Sequence, residues 1–306
     1  MINNIKTILK NFLQIEFEKL KQENLKDREN ILIQNGRLWS HLMAKEKIKD
    51  IQDAEFKVFS QWGDDGIIQY LINYLEIENK IFIEFGVEDY RESNTRFLLV
   101  NNNWSGLVLD GDSQNISKIK SEEIYWKYDL RAKTAFITTE NINKLIEEEG
   151  ISGRIGLLHI DIDGNDYWVL KALKIIDPII LIMEYNSIFG KERSITIAYD
   201  PEFQRTKSHH SNLFAGASLL AICDLADEKG YSFIGSNSAG NNAYFVKNEY
   251  LKDLNSISPE EGFVESKFRE SRNIDGELTY LRGLQRIDAI KGMKDYNTRL
   301  KEIEQL

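Results

Sequence analysis

The sequence predicts an α/β protein: a mostly parallel sheet covered by helices on both faces, with an antiparallel hairpin strand near its end. Three observations carry this. Five short apolar runs between residues 81 and 183 are each followed by a segment of helical or mixed pattern. The runs end in acids or glycines, the punctuation of strands that break into turns. Two later runs are joined only by Ser236-Asn-Ser-Ala-Gly-Asn241, too short for a helical crossover, so they pair as a hairpin.

The chain opens with Ile5, Ile8, Leu9, Phe12, Leu13, Phe17 and Leu20 at helical spacing among Lys and Glu. Leu38, Trp39, Leu42 and Met43 continue the pattern, making 1–55 a helical extension that packs on the sheet, dimerises or covers an active site. Phe59-Ser-Gln-Trp-Gly-Asp-Asp-Gly66 then interrupts it just ahead of the first strand. That loop is a candidate to touch a ligand, and Asp64 or Asp65 is equally suited to cap the helix that follows.

The first strand, Ile81-Phe-Ile-Glu-Phe-Gly86, runs into Val87-Glu-Asp-Tyr90 and a helical stretch from Arg91 to Val100. Gly106-Leu-Val-Leu-Asp110 is the second strand, with a helix over Ser113 to Lys120. Ile124-Tyr-Trp-Lys-Tyr128 reads as the third, closed by Asp129, and Thr134 to Glu149 as its helix. Ile155-Gly-Leu-Leu-His-Ile160 is the fourth, followed by Asp161-Ile-Asp-Gly164 and a helix from Asp166 to Ile176. Ile179-Ile-Leu-Ile-Met183 is the fifth, capped by Glu184. Residues 186–215 have no sustained period, and an irregular insertion of that length usually carries function. A helix over Gly216 to Lys229 precedes the hairpin of Tyr231 to Gly235 and Asn242 to Lys247. The α/β domain thus spans 56–250, and 251–306 reads as a second helical extension with Leu278, Leu281, Leu284 and Ile287 as its stripe.

Bulk composition narrows the functional classes. A net charge of −10 disfavours a nucleic-acid binder, which needs surplus Lys and Arg against phosphates. The single cysteine, Cys223, forms no intrachain disulfide and sits at a core-facing helical position. No apolar run approaches a membrane span or a signal peptide, so a cytoplasmic protein is expected.

Chemistry concentrates at the strand ends. In a parallel sheet these share one edge, so Glu84, Asp110, Asp129, Asp161, Asp163 and Glu184 are expected to converge on one crevice. An acid after the second strand suits ribose hydroxyls, and one after the third an adenine amine. A single glycine in the first turn, with Glu88 and Asp89 beside it, disfavours a pyrophosphate site and hence a dehydrogenase.

Ser60-Gln-Trp-Gly-Asp-Asp-Gly66, Ile83-Glu-Phe-Gly86 and His159-Ile-Asp-Ile-Asp-Gly164 followed by Tyr167, Val169 and Leu170 carry a resemblance. From about residue 56 to 246 the chain resembles the S-adenosylmethionine-dependent methyltransferases, and among them the FkbM-like sugar and natural-product O-methyltransferases. The resemblance implies a Rossmann-like class I methyltransferase sheet. By position it places Gln61, Asp65, Glu84, Gly86, Asp110 and Asp129 around S-adenosylmethionine. It further implies a divalent cation (Mg, Mn or Fe) at Asp161 and Glu184, joined by His210. Asp161, His209 or His210 would act as catalytic base. His159, inside a strand, is expected to be a buried hydrogen-bonding residue. The implied reaction is methyl transfer to a hydroxyl of a small, sugar-like acceptor, and the terminal helices are candidate homo-oligomer interfaces. A rival expectation is a non-catalytic binding or assembly protein that keeps the sheet. In one respect the chain departs from the family: Val87 to Tyr90 supplies none of the extra glycines usual in that turn.

Overall fold

The computed structural model describes the backbone of residues 2–306 and the side chains of 13–306 except 15 and 22. The chain begins with one long helix, α1 (Ile2–Met43). Its early stripe at Ile5, Ile8, Leu9 and Phe12 lies outside the described residues. Beyond it, Leu13, Phe17, Leu20 and Leu25 are exposed rather than packed on the sheet. Only the later part of α1 docks: Leu32 and Ile33 pack on Val58, Phe59 and Phe97, and the Ser40 hydroxyl donates to Gln69.

The domain that follows runs through α2 (Asp64–Tyr74), β1 (Ile81–Phe85), α3 (Arg96–Asn102), β2 (Ser105–Asp110), α4 (Ser113–Ser121), α5 (Glu123–Lys127) and β3 (Leu130–Thr134). It continues with α6 (Ile142–Glu147), β4 (Gly153–Ile160), α7 (Asp166–Ala172) and β5 (Ile176–Glu184). The insertion contributes β6 (Ile195–Ile197) and α8 (Arg205–Ser208), followed by α9 (Leu219–Glu228), β7 (Tyr231–Ser236) and β8 (Asn242–Lys247). The remainder holds α10 (Pro259–Gly262), α11 (Leu284–Ala289), β9 (Lys294–Asn297) and β10 (Glu302–Gln305).

Seven strands form the main sheet in the order β3-β2-β1-β4-β5-β8-β7. β1 to β5 pair in parallel, while β8 runs antiparallel between β5 and β7. The chain reverses its progress across the sheet between β1 and β4, and such a switch point opens a crevice at the carboxyl ends of the strands. Both faces are buried, one under α6, α7 and α9 and the other under α2 to α5. Apolar side chains on both faces of β1, β4 and β5 therefore have a place to go, which explains their largely apolar runs. Cys223 lies buried in α9 as part of that core.

Three elements differ from the sequence reading. The helix expected over Thr134 to Glu149 is only α6 (Ile142–Glu147), preceded by a loop over 135–141. Ile124 to Tyr128, which reads as the third strand, is the short helix α5, and the true edge strand is Leu130–Thr134. An edge strand with Arg131 exposed between buried Leu130 and Ala132 carries a weaker pattern than the aromatic run before it. Residues 251–306 are not a helical extension. Left-handed Gly276 (φ 83°) and Gly283 (φ 48°) stop any long helix, leaving the short α11. The segment instead adds β9 and β10 to β6 as a small antiparallel sheet, and packs Leu281, Ile287 and Ile290 on Ile195, Ile197 and Phe214.

Candidate active site

A cavity of about 860 Å³ opens at the carboxyl edge of the sheet, over the switch point between β1 and β4. Glu84, Gly86, Asp110, Asp161 and Glu184 all line it, as does Gln61 from the loop ahead of α2. The convergence expected from the strand-end acids is therefore real for β1, β2, β4 and β5.

Glu84 lines the floor with its carboxylate already satisfied. It accepts bonds from Ser93 Oγ (2.6 Å), the backbone N–H groups of Asn94 (3.0 Å) and Thr95 (3.1 Å), Thr95 Oγ1, and His159 Nδ1 (3.0 Å). Those donors fill the roughly four lone-pair positions of a carboxylate. Burial alone would push its pKa up, but His159, Ser93 and Thr95 outweigh it and hold Glu84 below the usual range. Glu84 thus folds the 93–95 segment against the strand end. His159 is buried as expected, its other ring nitrogen 3.3 Å from the Asn94 side chain.

Gly86 has a left-handed backbone (φ 72°), and an added Cβ would lie 1.6 Å from the carbonyl oxygen of Asp161. Glycine is required there by the approach of the β4 loop. The turn beyond it solves its missing glycines differently: Glu88 (φ 47°) and Tyr90 (φ 64°) adopt the left-handed conformation themselves. Each costs about 1–2 kcal/mol relative to glycine. The turn is held by the Glu88 N–H donating to Asp110 Oδ2 (2.8 Å) and by the fully buried Tyr90 ring. Asp110 Oδ1 accepts from the Asp112 N–H (2.8 Å) and Asn115 (3.3 Å), so Oδ2 retains accepting capacity toward the cavity.

The loop after β4 is knotted by Asp166, which accepts from the N–H groups of Ile162 (2.8 Å) and Gly164 (2.9 Å). That arrangement presents Asp161 and Asp163 outward, with oxygens of Asp161, Asp163 and Glu184 all within 4.8 Å of one another. Arg205, from α8, holds Asp163 at 2.6 Å. Burial, then the neighbouring Asp163 and Asp166, pushes Glu184 up to about 8. Asp161 is raised as well, by burial and then by Glu184. Two carboxylates this close share a proton rather than both ionising.

Four expected site residues lie elsewhere. Asp129 stands at the amino end of β3, on the opposite edge from the cavity, because the strand begins after it rather than ending there. Asp65 is buried and does not line the cavity; its Oδ2 accepts from the N–H groups of Val58, Phe59 and Ser60 and from the Ser60 hydroxyl. Asp64 reaches across to Asn237, Asn242 and Tyr244, so neither acid caps α2, whose N-cap Gly63 makes no side-chain bond. His209 and His210 stack on each other outside the cavity, with ring centroids 4.1 Å apart, and His209 bonds Ser211. In the metal-type cluster Asp163 stands where His210 was expected.

The cavity also contains residues that local sequence patterns do not single out: Phe136, Asn165, Arg205, Asn242 and Arg286. Phe136 is 47% exposed, just past the end of β3. Nothing periodic marks it, since β3 itself was displaced in the sequence reading.

The family model for the methyltransferase FkbM domain matches residues 73–233, just over half of the chain. The chain belongs to the FkbM methyltransferase family. That match runs from the end of α2 into the start of β7 and contains each strand-end acid around the cavity. A comparison with curated proteins gives no match. Among solved structures, the N-terminal domain of EvdMO1 with SAH bound is 10% identical, covering 70% of this chain and 94% of that one, with a TM-score of 0.40. An O-methyltransferase from Bacillus cereus in complex with SAH is 14% identical over 72% of this chain and 91% of that one, TM-score 0.41. The CurJ carbon methyltransferase is 11% identical over 64% of this chain and 56% of that one, TM-score 0.38.

Proposed function

We propose that this FkbM-family protein transfers the methyl group of S-adenosylmethionine to a hydroxyl of a small polar acceptor, a free, nucleotide-linked or glycan sugar. One observation carries the reading: a nucleoside-like half and a proton-accepting half occupy one cavity. In the first, Asp110 keeps an oxygen lone pair for a ribose hydroxyl, and exposed Phe136 offers a face on which adenine stacks. In the second, Asp161 and Glu184 offer a carboxylate pair.

The chain's contribution is alignment and proton removal. The acceptor oxygen attacks the methyl carbon as the carbon–sulfur bond breaks, its electron pair neutralising the sulfonium. The hydroxyl proton passes to the Asp161–Glu184 pair, whose raised pKa values suit a base working near neutral pH. Around it, Asn186, Asn212 and Asn242 line the cavity, and the buried amide oxygens of Asn165 and Asn242 lack protein donors. Those oxygens suit the hydroxyls of a sugar.

The donor set Asp161, Asp163 and Glu184 also fits a hard divalent cation, being all oxygen and within 4.8 Å. An ion held there would polarise the acceptor hydroxyl, with Arg205 remaining on Asp163.

The test is transfer of labelled methyl from S-adenosylmethionine to a panel of free and nucleotide-linked sugars. Label is expected on oxygen, with Asp161→Asn lowering the rate by about 10²–10⁴. Label on carbon, or an unaffected rate in Asp161→Asn, would contradict the assignment. A non-catalytic binding role is the second reading, favoured by the uncovered apolar face of α1.

A further inference from the structure

Two arginines of the described residues are buried; each leaves its Nε without a partner, but only one has partners for the rest of its guanidinium. Arg96 donates to the carbonyl of Tyr90 (3.0 Å) and pairs with Glu29 (3.0 Å). Arg286, only 5% exposed on α11, has a side chain with no hydrogen bond or ion pair to any described residue, and its Nε is enclosed without a partner. Arg286 is among the residues that line the cavity. A buried, unpaired guanidinium is costly, because desolvation is not offset by a counter-charge.

The charges near it deepen the imbalance. Burial and then Arg269 press Arg286 below the usual guanidinium range, Glu265 opposing them in part and Arg205 adding a smaller push. Glu265 is the one acid acting on it, beyond ion-pair distance. The other cavity arginines are matched: Arg205 by Asp163 and Glu270, and Arg272 by Glu270. Among the arginines lining the cavity, Arg286 is the one without a described acid at ion-pair distance.

We propose that Arg286 binds an oxyanion carried by the methyl acceptor, a carboxylate or a phosphoryl oxygen, so that the substrate is an acidic or phosphorylated sugar rather than a neutral one. The planar fork of a guanidinium matches either group through paired N–H donors. The inference rests on the methyl-transfer reading for the identity of the ligand, but the anion site itself does not. Arg286 lies outside the family match, which ends at residue 233.

The experiment is thermal unfolding of the full chain, wild type and Arg286→Met, in sodium chloride, acetate or sulfate at matched ionic strength. A saturable rise of about 2–4 °C over chloride is expected for wild type. Acetate alone producing it assigns a carboxylate; sulfate producing it assigns a phosphoryl group. Arg286→Met is expected to lose the rise and, freed of an unpaired buried charge, to melt no lower than wild type in chloride. Arg286→Lys should retain part of it. Equal shifts in wild type and Arg286→Met, or no difference between the anions and chloride in wild type, would overturn the proposal. Repeating the wild-type series with saturating S-adenosylhomocysteine separates the two claims. An anion effect that persists beside bound S-adenosylhomocysteine supports both. An anion effect without any S-adenosylhomocysteine binding keeps the anion site and removes the methyl-transfer reading.

Discussion

Gly86 and Glu88 lie two residues apart in the same turn and make opposite demands. Alanine at 86 would meet the Asp161 carbonyl and adopt a left-handed backbone, so Gly86→Ala is expected to cost about 2–5 kcal/mol in urea unfolding. Glu88→Gly relieves a left-handed residue but adds about 0.5–1 kcal/mol of backbone entropy to the unfolded chain, so the two largely offset and the net change should be under about 1 kcal/mol. If both substitutions cost the same, the turn is not strained as described. The carboxylate pair makes a further prediction. The folded-state pKa of Asp161 is raised, and Glu184 is raised to about 8, so the folded protein binds more protons than the unfolded chain above the ordinary carboxylate range. Stability should therefore fall as pH rises from about 4 toward 8, by roughly 2–4 kcal/mol, and level off above. Melting curves in chelator across that range, repeated for Glu184→Gln, check this: the variant should show a flatter profile. A wild-type profile that rises with pH would reverse the sign and reject the shared proton.

The elements that could be read from the sequence are those buried on both faces. β1, β4 and β5 declare themselves as largely apolar runs, and the six residues 236–241 force the β7–β8 hairpin whatever surrounds them. β3 could not be read, because an edge strand alternates weakly and the neighbouring aromatic run mimics it better. The site divides the same way. Acids at strand ends were visible because topology alone brings them together, whereas Phe136, Arg205 and Arg286 reach the cavity from loops and short helices whose path no local period records. His209 and His210 illustrate the converse: polar chemistry in an irregular insertion need not point inward. α1 shows where monomer packing ends. Phe17 and Leu20 are exposed, so replacing both with Glu should leave the melting temperature within about 2 °C. A drop in mass by ultracentrifugation in that variant assigns the face to self-association; an unchanged mass rules it out.

For the molecule as a whole, the fold gathers three segments distant in sequence around one crevice: the strand ends, the insertion with Arg205, and the C-terminal segment with Arg286. In the proposed reading the first supplies the donor side and the proton acceptor, and the other two wall the acceptor side. A cofactor that leaves as a neutral thioether needs no phosphate-binding glycines, in keeping with a turn built from Val87, Glu88, Asp89 and Tyr90. The central claim is that the β1–β2 end of this crevice binds the methyl donor through Asp110. Calorimetric titration with S-adenosylhomocysteine tests it most directly. Saturable 1:1 binding is predicted for the wild type, weakened about 10- to 100-fold in Asp110→Ala. Folded wild-type protein that binds none at millimolar concentration, or Asp110→Ala that binds as tightly as wild type, would contradict it.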